Sequence, residues 1–395
     1  MLNSFSKGSF PIQKEGKVAL CTVLIMFSLS IYYYLYFLPF NQGVVEGTHF
    51  FNIAKVIIFI GTLYCVNTPW KEITLSPFIV TFYLINFFIL FLFVCGEFFG
   101  HNDNKMVLNY FLFSFLFAFL VFDKKAIFVK VALFIIPWVL VFQVCLDVVL
   151  NNYFKLCLWE GCLFVGGLGN PSSFAFFSMF SFFILTLKVS SKSSALDLFL
   201  LSIPLLLLTY GIIKSSALAI VLLHFLGILG LILFTNSKKR IYYCLMFVAG
   251  ALILLAGASP YLSNKIGAFL YFLGVIDTKY QSMSISTRAG YYSNQDTSLY
   301  KLFNYNYKAY DSQYLTFLKS FGLLGAGLFL IANALFFFKL KMSREPLHMF
   351  NIFMFGSFAL IFFNNRILDY YPVSILYLVA CVLIVKSESC YRENP

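Results

Sequence analysis

Apolar runs of about 20 residues, separated by short polar turns, recur along the chain, and a run of that length crosses a bilayer as one helix. The pattern predicts about twelve spans by that length criterion. They fall near residues 18–37, 50–66, 77–98, 106–122, 126–149, 173–187, 195–212, 216–234, 241–258, 314–338, 347–363 and 371–385. The fold class is therefore all-α polytopic integral membrane protein, with one membrane domain over residues 1–395. The first run follows Lys7, Lys14 and Lys17 but leads to no convincing small-x-small cleavage site, so it is read as a retained span. No soluble domain and no clear internal repeat interrupts the series.

Composition agrees with the pattern. The chain is 61% hydrophobic and 11% charged, with a mean hydropathy of +0.87, whereas a soluble domain carries about a quarter charged residues. Phe is abundant, with 52 copies, and most of it is read as coding bias rather than aromatic function. The net charge of +12 comes without a basic cluster of the size that nucleic acid requires. Its distribution sets orientation instead. With the N-terminus inside, the short inside loops hold Lys71, Lys124, Lys125, Lys188, Lys192, Lys238, Lys239, Arg240, Lys339, Lys341 and Arg344. Both termini are expected in the cytoplasm.

Two outside segments stand out. The longer, residues 259–313, lies between the ninth and tenth spans and is rich in Tyr and apolar residues rather than disordered in composition. Loops beyond about 15 residues are usually functional or disordered. Within it, residues 264–274 read as a short helix at the membrane surface, ended by Gly274. The other segment, "LWEGCLFVGGLGNPSS", runs over residues 158–173 and combines glycines with an Asn-Pro turn. Cys157 and Cys162 lie at its start, in an expected oxidising compartment, and are candidates for a disulfide.

Phosphate-loop, dinucleotide, serine-hydrolase and zinc-protease motifs are missing from the sequence, and so is any DxD pair. Neither a metal nor a cofactor is expected. What remains is a set of polar residues on the outside: Glu160, Asn170, Lys214 with Ser215 and Ser216, Arg288, Asp311 with Gln313, and Arg366. Cations there suit a phosphate-bearing lipid headgroup, Arg as a bidentate donor and Lys as a point charge.

Four stretches occur in the order seen in O-antigen polymerases: "GNPSS" from Gly169, "LTYGIIKSSALAIVL" from Leu208, "STRAGYY" from Ser286, and "YDSQYLTFLKSFGLLG" from Tyr310. On these stretches, over about half of the chain by the same span count, the sequence resembles the Wzy-type members of the O-antigen polymerase and ligase superfamily. It departs from the pattern twice. Lys214 stands where that family commonly has Arg, and "DSQYL" replaces a His-Asn-x-Tyr-Leu helix start, which points to a polymerase over a ligase.

The resemblance implies a membrane glycosyltransferase of the bacterial inner membrane, in lipopolysaccharide or other surface-polysaccharide biosynthesis. It would join oligosaccharide repeat units carried on undecaprenyl pyrophosphate at the periplasmic face. Partners would be those lipid-linked oligosaccharides, membrane lipids, and a chain-length regulator and flippase of the same pathway, with no nucleic acid. Catalytic roles fall to Arg288, Asp311 and Glu160. Substrate binding falls to Asn170, Lys214, Ser215, Gln313, Tyr314 and Arg366. The alternatives are a lipid-linked oligosaccharide flippase and an O-antigen ligase.

Each residue also has a simpler reading. Asp311 would cap the tenth span, Lys214 would snorkel at a helix end, Asn170 would form a turn, and Arg366 would anchor the interface. Glu160, beside Trp159, would also sit at that interface. His224 in mid-span reads as a neutral hydrogen-bonded imidazole, and Gly322, Gly325 and Gly327 read as packing glycines. The loop Tyr residues suit either sugar stacking or the membrane interface.

The orientation has a direct test. A reporter active only outside the cytoplasm is expected to be active when fused near Ser293 and silent near Arg240. The reverse result would invert the topology and move every outside residue to the wrong face.

Overall fold

The computed structural model describes residues 127–189, 193–235, 237–277, 301–304, 310, 312–339, 346–363 and 365, with single helical positions between residues 60 and 98 and between 376 and 383. The first and fourth expected spans lie outside the described residues, as do Arg288, Asp311 and Arg366. Among the described residues every regular element is helical. We number them α1 (Ile127–Asn152), α2 (Pro171–Thr186), α3 (Ala195–Lys214), α4 (Leu218–Phe234), α5 (Ser237–Gly257), α6 (Pro260–Phe272), α7 (Gln313–Lys339) and α8 (Pro346–Ile361). By length and composition four are long and apolar enough to cross a membrane: Val131–Asn152, Ala195–Lys214, Lys239–Gly257 and Gln313–Phe338, the last of which bends at Gly322.

Local chemistry sets the helix ends. Asn170 caps α2 by accepting the backbone N–H groups of Ser172 and Ser173, with Pro171 at the first helical position. Ser194 and Asp197 form a reciprocal capping box on α3. Ser259 caps α6 through Leu262 N–H, and Pro260 opens that helix. At the far end of α6, Gly274 takes φ +70° while its N–H and that of Val275 return to Tyr271 and Leu270. The short helix expected at residues 264–274 thus exists and begins earlier, at Pro260. Arg240 closes the end of α4 by donating to Ile232 O and Thr235 O.

The centre of the bundle is α2. Its residues from Phe174 to Thr186 are all buried, and α1, α3, α4 and α8 pack around it. At 16 residues it is about 24 Å long. That is short for an independent span, but α2 meets protein rather than lipid. The largest fully buried side chains are all Phe, from Phe174, Phe176, Phe180 and Phe182 on α2 to Phe358 and Phe362 by α8. Phe176 and Phe180 meet Phe358 at 4.8 and 5.5 Å between ring centres. Edge-to-face and stacked rings of this kind add to area burial, so these Phe residues build the helix contacts of the core.

The tenth expected span is not one straight rod. Gly322 has φ +74° and ψ −170°, outside helical space. Phe317 and Phe329 stack at 4.3 Å between ring centres, and Tyr314 lies 5.7 Å from Phe329. In a straight helix residues twelve apart are separated by about 18 Å. Residues 313–321 therefore fold back along residues 323–339, leaving about 25 Å for the second limb at 1.5 Å per residue. The turn frees the N–H groups of Leu323 and Leu324, and Lys301 O and Leu302 O accept them at 3.0 and 3.1 Å. A Cβ at Gly322 would sit 2.6 Å from Lys301 O. Gly322 is thus a corner residue that lets a strand of the long loop approach, a role beyond helix packing.

Gly322→Ala is expected to destabilise the protein by at least about 2 kcal/mol, since both the left-handed backbone and the loop contact oppose a side chain. Thermal unfolding in detergent would read this as a lowered Tm. An unchanged Tm would mean that the corner relaxes without loss.

Candidate functional site

The outside candidates that fall among the described residues gather at one end of the bundle. The C-terminus of α1, both termini of the 158–170 segment, the C-terminus of α3 and the junction of α5 with α6 meet there. The first turn of α7 reaches the last turn of α8, where Gln313 N–H and Ser312 Oγ both donate to Phe362 O at 2.8 and 3.1 Å. Phe362 and Phe358 carry that contact to Phe176 near the start of α2.

The 158–170 segment is re-entrant. Leu158 and residues 163–168 are buried, although backbone without regular structure is costly inside a membrane protein unless its polar groups are met. Asp147, 2% exposed on α1, meets them: its Oδ2 accepts Val165 N–H at 3.0 Å and Gly166 N–H at 2.9 Å. Gly166 has φ +54°, and a Cβ there would be 2.5 Å from both Gln143 Oε1 and the Phe174 ring. A side chain at residue 166 would have to adopt this left-handed backbone and displace Gln143 and Phe174. Two short 3-10 turns, Glu160–Cys162 and Gly166–Leu168, shape the segment. Cys157 and Cys162 are joined by a disulfide with Cα atoms 4.6 Å apart, and Asn151 Nδ2 donates to Cys162 O. The candidate disulfide of the sequence is present.

One step further, Phe164 N–H donates to Lys214 O at 3.4 Å, and the Phe164 ring meets Tyr210 edge-on at 5.7 Å. The Lys214 ammonium lies over the same Tyr210, 5.6 Å from its centre. Ser216, with φ +56°, pairs its hydroxyl with Ser259 and receives Lys265 Nζ on its carbonyl at 3.0 Å. Lys265 also sits 4.6 Å over Tyr261. The turn after α3 and the turn before α6 thus bring two ammonium groups to one end of the bundle.

Other candidate side chains have structural duties. Asn170 Oδ1 caps α2, the Ser215 hydroxyl returns to Ile212 O at 2.6 Å, and the Tyr314 hydroxyl donates to Ala359 O at 3.2 Å. Gln313 is buried at 1% exposure. Glu160 contributes the first residue of the turn that carries the disulfide. Arg288, Asp311 and Arg366 fall outside the described residues. His224 fits its expected neutral role: Thr209 Oγ1 donates to Leu205 O, so the imidazole at 3.1 Å is assigned as an Nε2–H donor. Rings of Phe182, Phe183 and Phe225 surround it.

The described residues ahead of α7 are tied to its first limb. Asn304 Nδ2 donates to Lys319 O at 2.7 Å, Tyr310 N–H donates to Thr316 Oγ1 at 3.1 Å, and the Lys319 ammonium lies 5.0 Å over the Tyr310 ring. Ser312, immediately before the helix, accepts Leu315 N–H on its hydroxyl. Ser312 thus supplies a hydroxyl cap for α7, while Asp311, the cap expected from sequence, lies outside the described residues.

Sequence reading missed Asp147. The available signal was its position: a carboxylate inside an apolar run, one turn after Gln143, where ionisable residues carry a role by default. No family model, curated protein or solved structure matches the chain. Among the described residues no three of His, Cys, Asp and Glu converge as a metal site.

The cap assignment is testable. Ser312→Ala is expected to lower stability by about 1 kcal/mol, the usual worth of such a cap, while Asp311→Asn costs less, at most the dipole interaction. Thermal unfolding of the two variants in detergent compares them directly; equal losses would return the cap to Asp311.

Proposed function

We propose that the protein is a membrane glycan polymerase acting on polyprenyl-pyrophosphate-linked repeat units at the periplasmic face of a bacterial inner membrane. The observation that carries this reading is the meeting of two lysines, a re-entrant glycine-rich segment and the polar start of α7 at one end of a helical bundle. These elements contain three of the four stretches on which the resemblance to Wzy-type polymerases rests. The fourth stretch holds Arg288.

The growing glycan is the donor and a new repeat unit is the acceptor. The acceptor hydroxyl oxygen forms a bond to the donor's anomeric carbon as the bond from that carbon to the pyrophosphate oxygen breaks. The electron pair leaves with polyprenyl pyrophosphate, and the hydroxyl proton passes to a base, Asp311 in this reading. One displacement inverts the anomeric centre, so one base and one leaving-group clamp suffice. Arg288 and Lys214 neutralise charge that grows on the leaving pyrophosphate, which requires no nucleotide and no metal in this scheme.

A transporter is the second reading, favoured by one feature. The fold-back of α7 at Gly322 resembles the broken helices from which transporter sites are built. The lipid-linked glycans of a deletion strain separate the readings. Accumulated single repeat units on the outer face are the expected result, reproduced by Arg288→Ala at normal protein level. Units trapped on the cytoplasmic side would establish a flippase, and full-length glycan retained on the carrier would establish a ligase.

A further inference from the structure

The contacts at the end of α1 form a continuous path that ends on a cation. Asp147 holds the Val165 and Gly166 amides, Phe164 of the same segment holds the Lys214 carbonyl, and Phe164 and Lys214 share the Tyr210 ring. From this path we propose that Asp147 is a positioning residue for Lys214, fixing the ammonium through the re-entrant segment. The role in substrate handling rests on the polymerase reading; the mechanical link does not.

Three observations favour positioning over direct participation in chemistry. The Asp147 carboxylate is 2% exposed, and one of its oxygens is occupied by two backbone donors. Its partners are amides of buried residues, Val165 at 1% and Gly166. The geometry is also matched from the other side, since Gly166 has no Cβ where one would strike Gln143 and Phe174. The disulfide ties the entrance of the segment and the Asn170 cap ties its exit. Asp147 holds the middle, the part that touches α3. Lys214 itself stands in the last turn of α3, half-buried, with its carbonyl engaged by the segment and its ammonium on an aromatic face. If the segment withdraws, Phe164 leaves both the Lys214 backbone and the ring that supports the ammonium.

The test uses the full-length protein in membranes and two independent readouts. Val165→Cys reports the segment, because a buried thiol is shielded from a membrane-impermeant maleimide. In the otherwise unchanged protein, labelling at residue 165 is expected to be slow. In Asp147→Leu it is expected to rise at least about tenfold, and in Asp147→Asn to rise little, because the amide oxygen still accepts both N–H groups. Repeat-unit polymerisation is the second readout. Asp147→Leu and Gly166→Ala are each expected to lower kcat by on the order of a hundredfold, the effect of a catalytic cation displaced by about 1 Å, with Asp147→Asn retaining most activity. The loss is expected to be non-additive with Lys214→Ala, because both changes remove one contribution.

Parent-like labelling in both Asp147→Leu and Gly166→Ala would overturn the mechanical link. Increased labelling with full additivity toward Lys214→Ala would overturn its connection to Lys214. A wild-type protein that does not polymerise would defeat the functional reading alone, because the labelling result stands without it.

Discussion

Backbone amides inside a membrane protein have no water to turn to, and the placement of two irregular segments follows from how this chain meets that requirement. Where the 158–170 segment enters the bundle, Asp147 accepts two of its N–H groups. A buried carboxylate without partners would cost several kcal/mol, and two buried amides without partners would cost about 1–3 kcal/mol each. Each group removes the other's penalty. At α7 the same requirement is met without a side chain. The turn at Gly322 frees two amides, and the carbonyls of Lys301 and Leu302 take them.

Both solutions bring polar chain to the same end of the bundle. The first carries Phe164 to Lys214. The second aligns the loop strand with residues 313–321 and carries Ser312 and Gln313 down to Phe362. Phe362, Phe358 and Phe176 then link the start of α7 to the start of α2 through stacked and edge-to-face rings. The aromatic core is thus the rigid frame against which two re-entrant pieces are registered. Charged groups held at its rim avoid the cost of a charge at the bilayer centre.

The helices were legible in the sequence chiefly as apolar runs. Asn170-Pro171 and Gly274 were also legible as boundaries that the fold respects, whereas the caps at Ser194 with Asp197 and at Ser259-Pro260 went unread, and α6 begins at Pro260 rather than at residue 264. The corner in α7 was not legible. Gly322 sits in an apolar run with Gly325 and Gly327, where glycine usually serves helix packing, and nothing local distinguishes a φ of +74° from a helical one. The contact that stabilises the corner comes from Lys301 and Leu302, about 20 residues earlier in sequence, beyond any local propensity. The re-entry of the 158–170 segment was hidden for a related reason. Its glycines read as a surface turn until Asp147 is placed beneath them.

The start of α7 shows how a long-range contact changes the meaning of a residue without changing its chemistry. Read locally, the acid at position 311 is the best cap in "YDSQYL". In the fold, Ser312 provides the helix-capping hydroxyl and anchors to Phe362 O, while Tyr310 is tied to Thr316 and Lys319. The residues on both sides of Asp311 are therefore held, and the cap no longer requires its carboxylate. A helix start that has its hydroxyl cap next door gains little stability from an added acid beyond the dipole interaction, about 0.3–1 kcal/mol at an exposed site. That weakens the capping reading of Asp311, since the hydroxyl cap and the anchor to Phe362 O both come from Ser312.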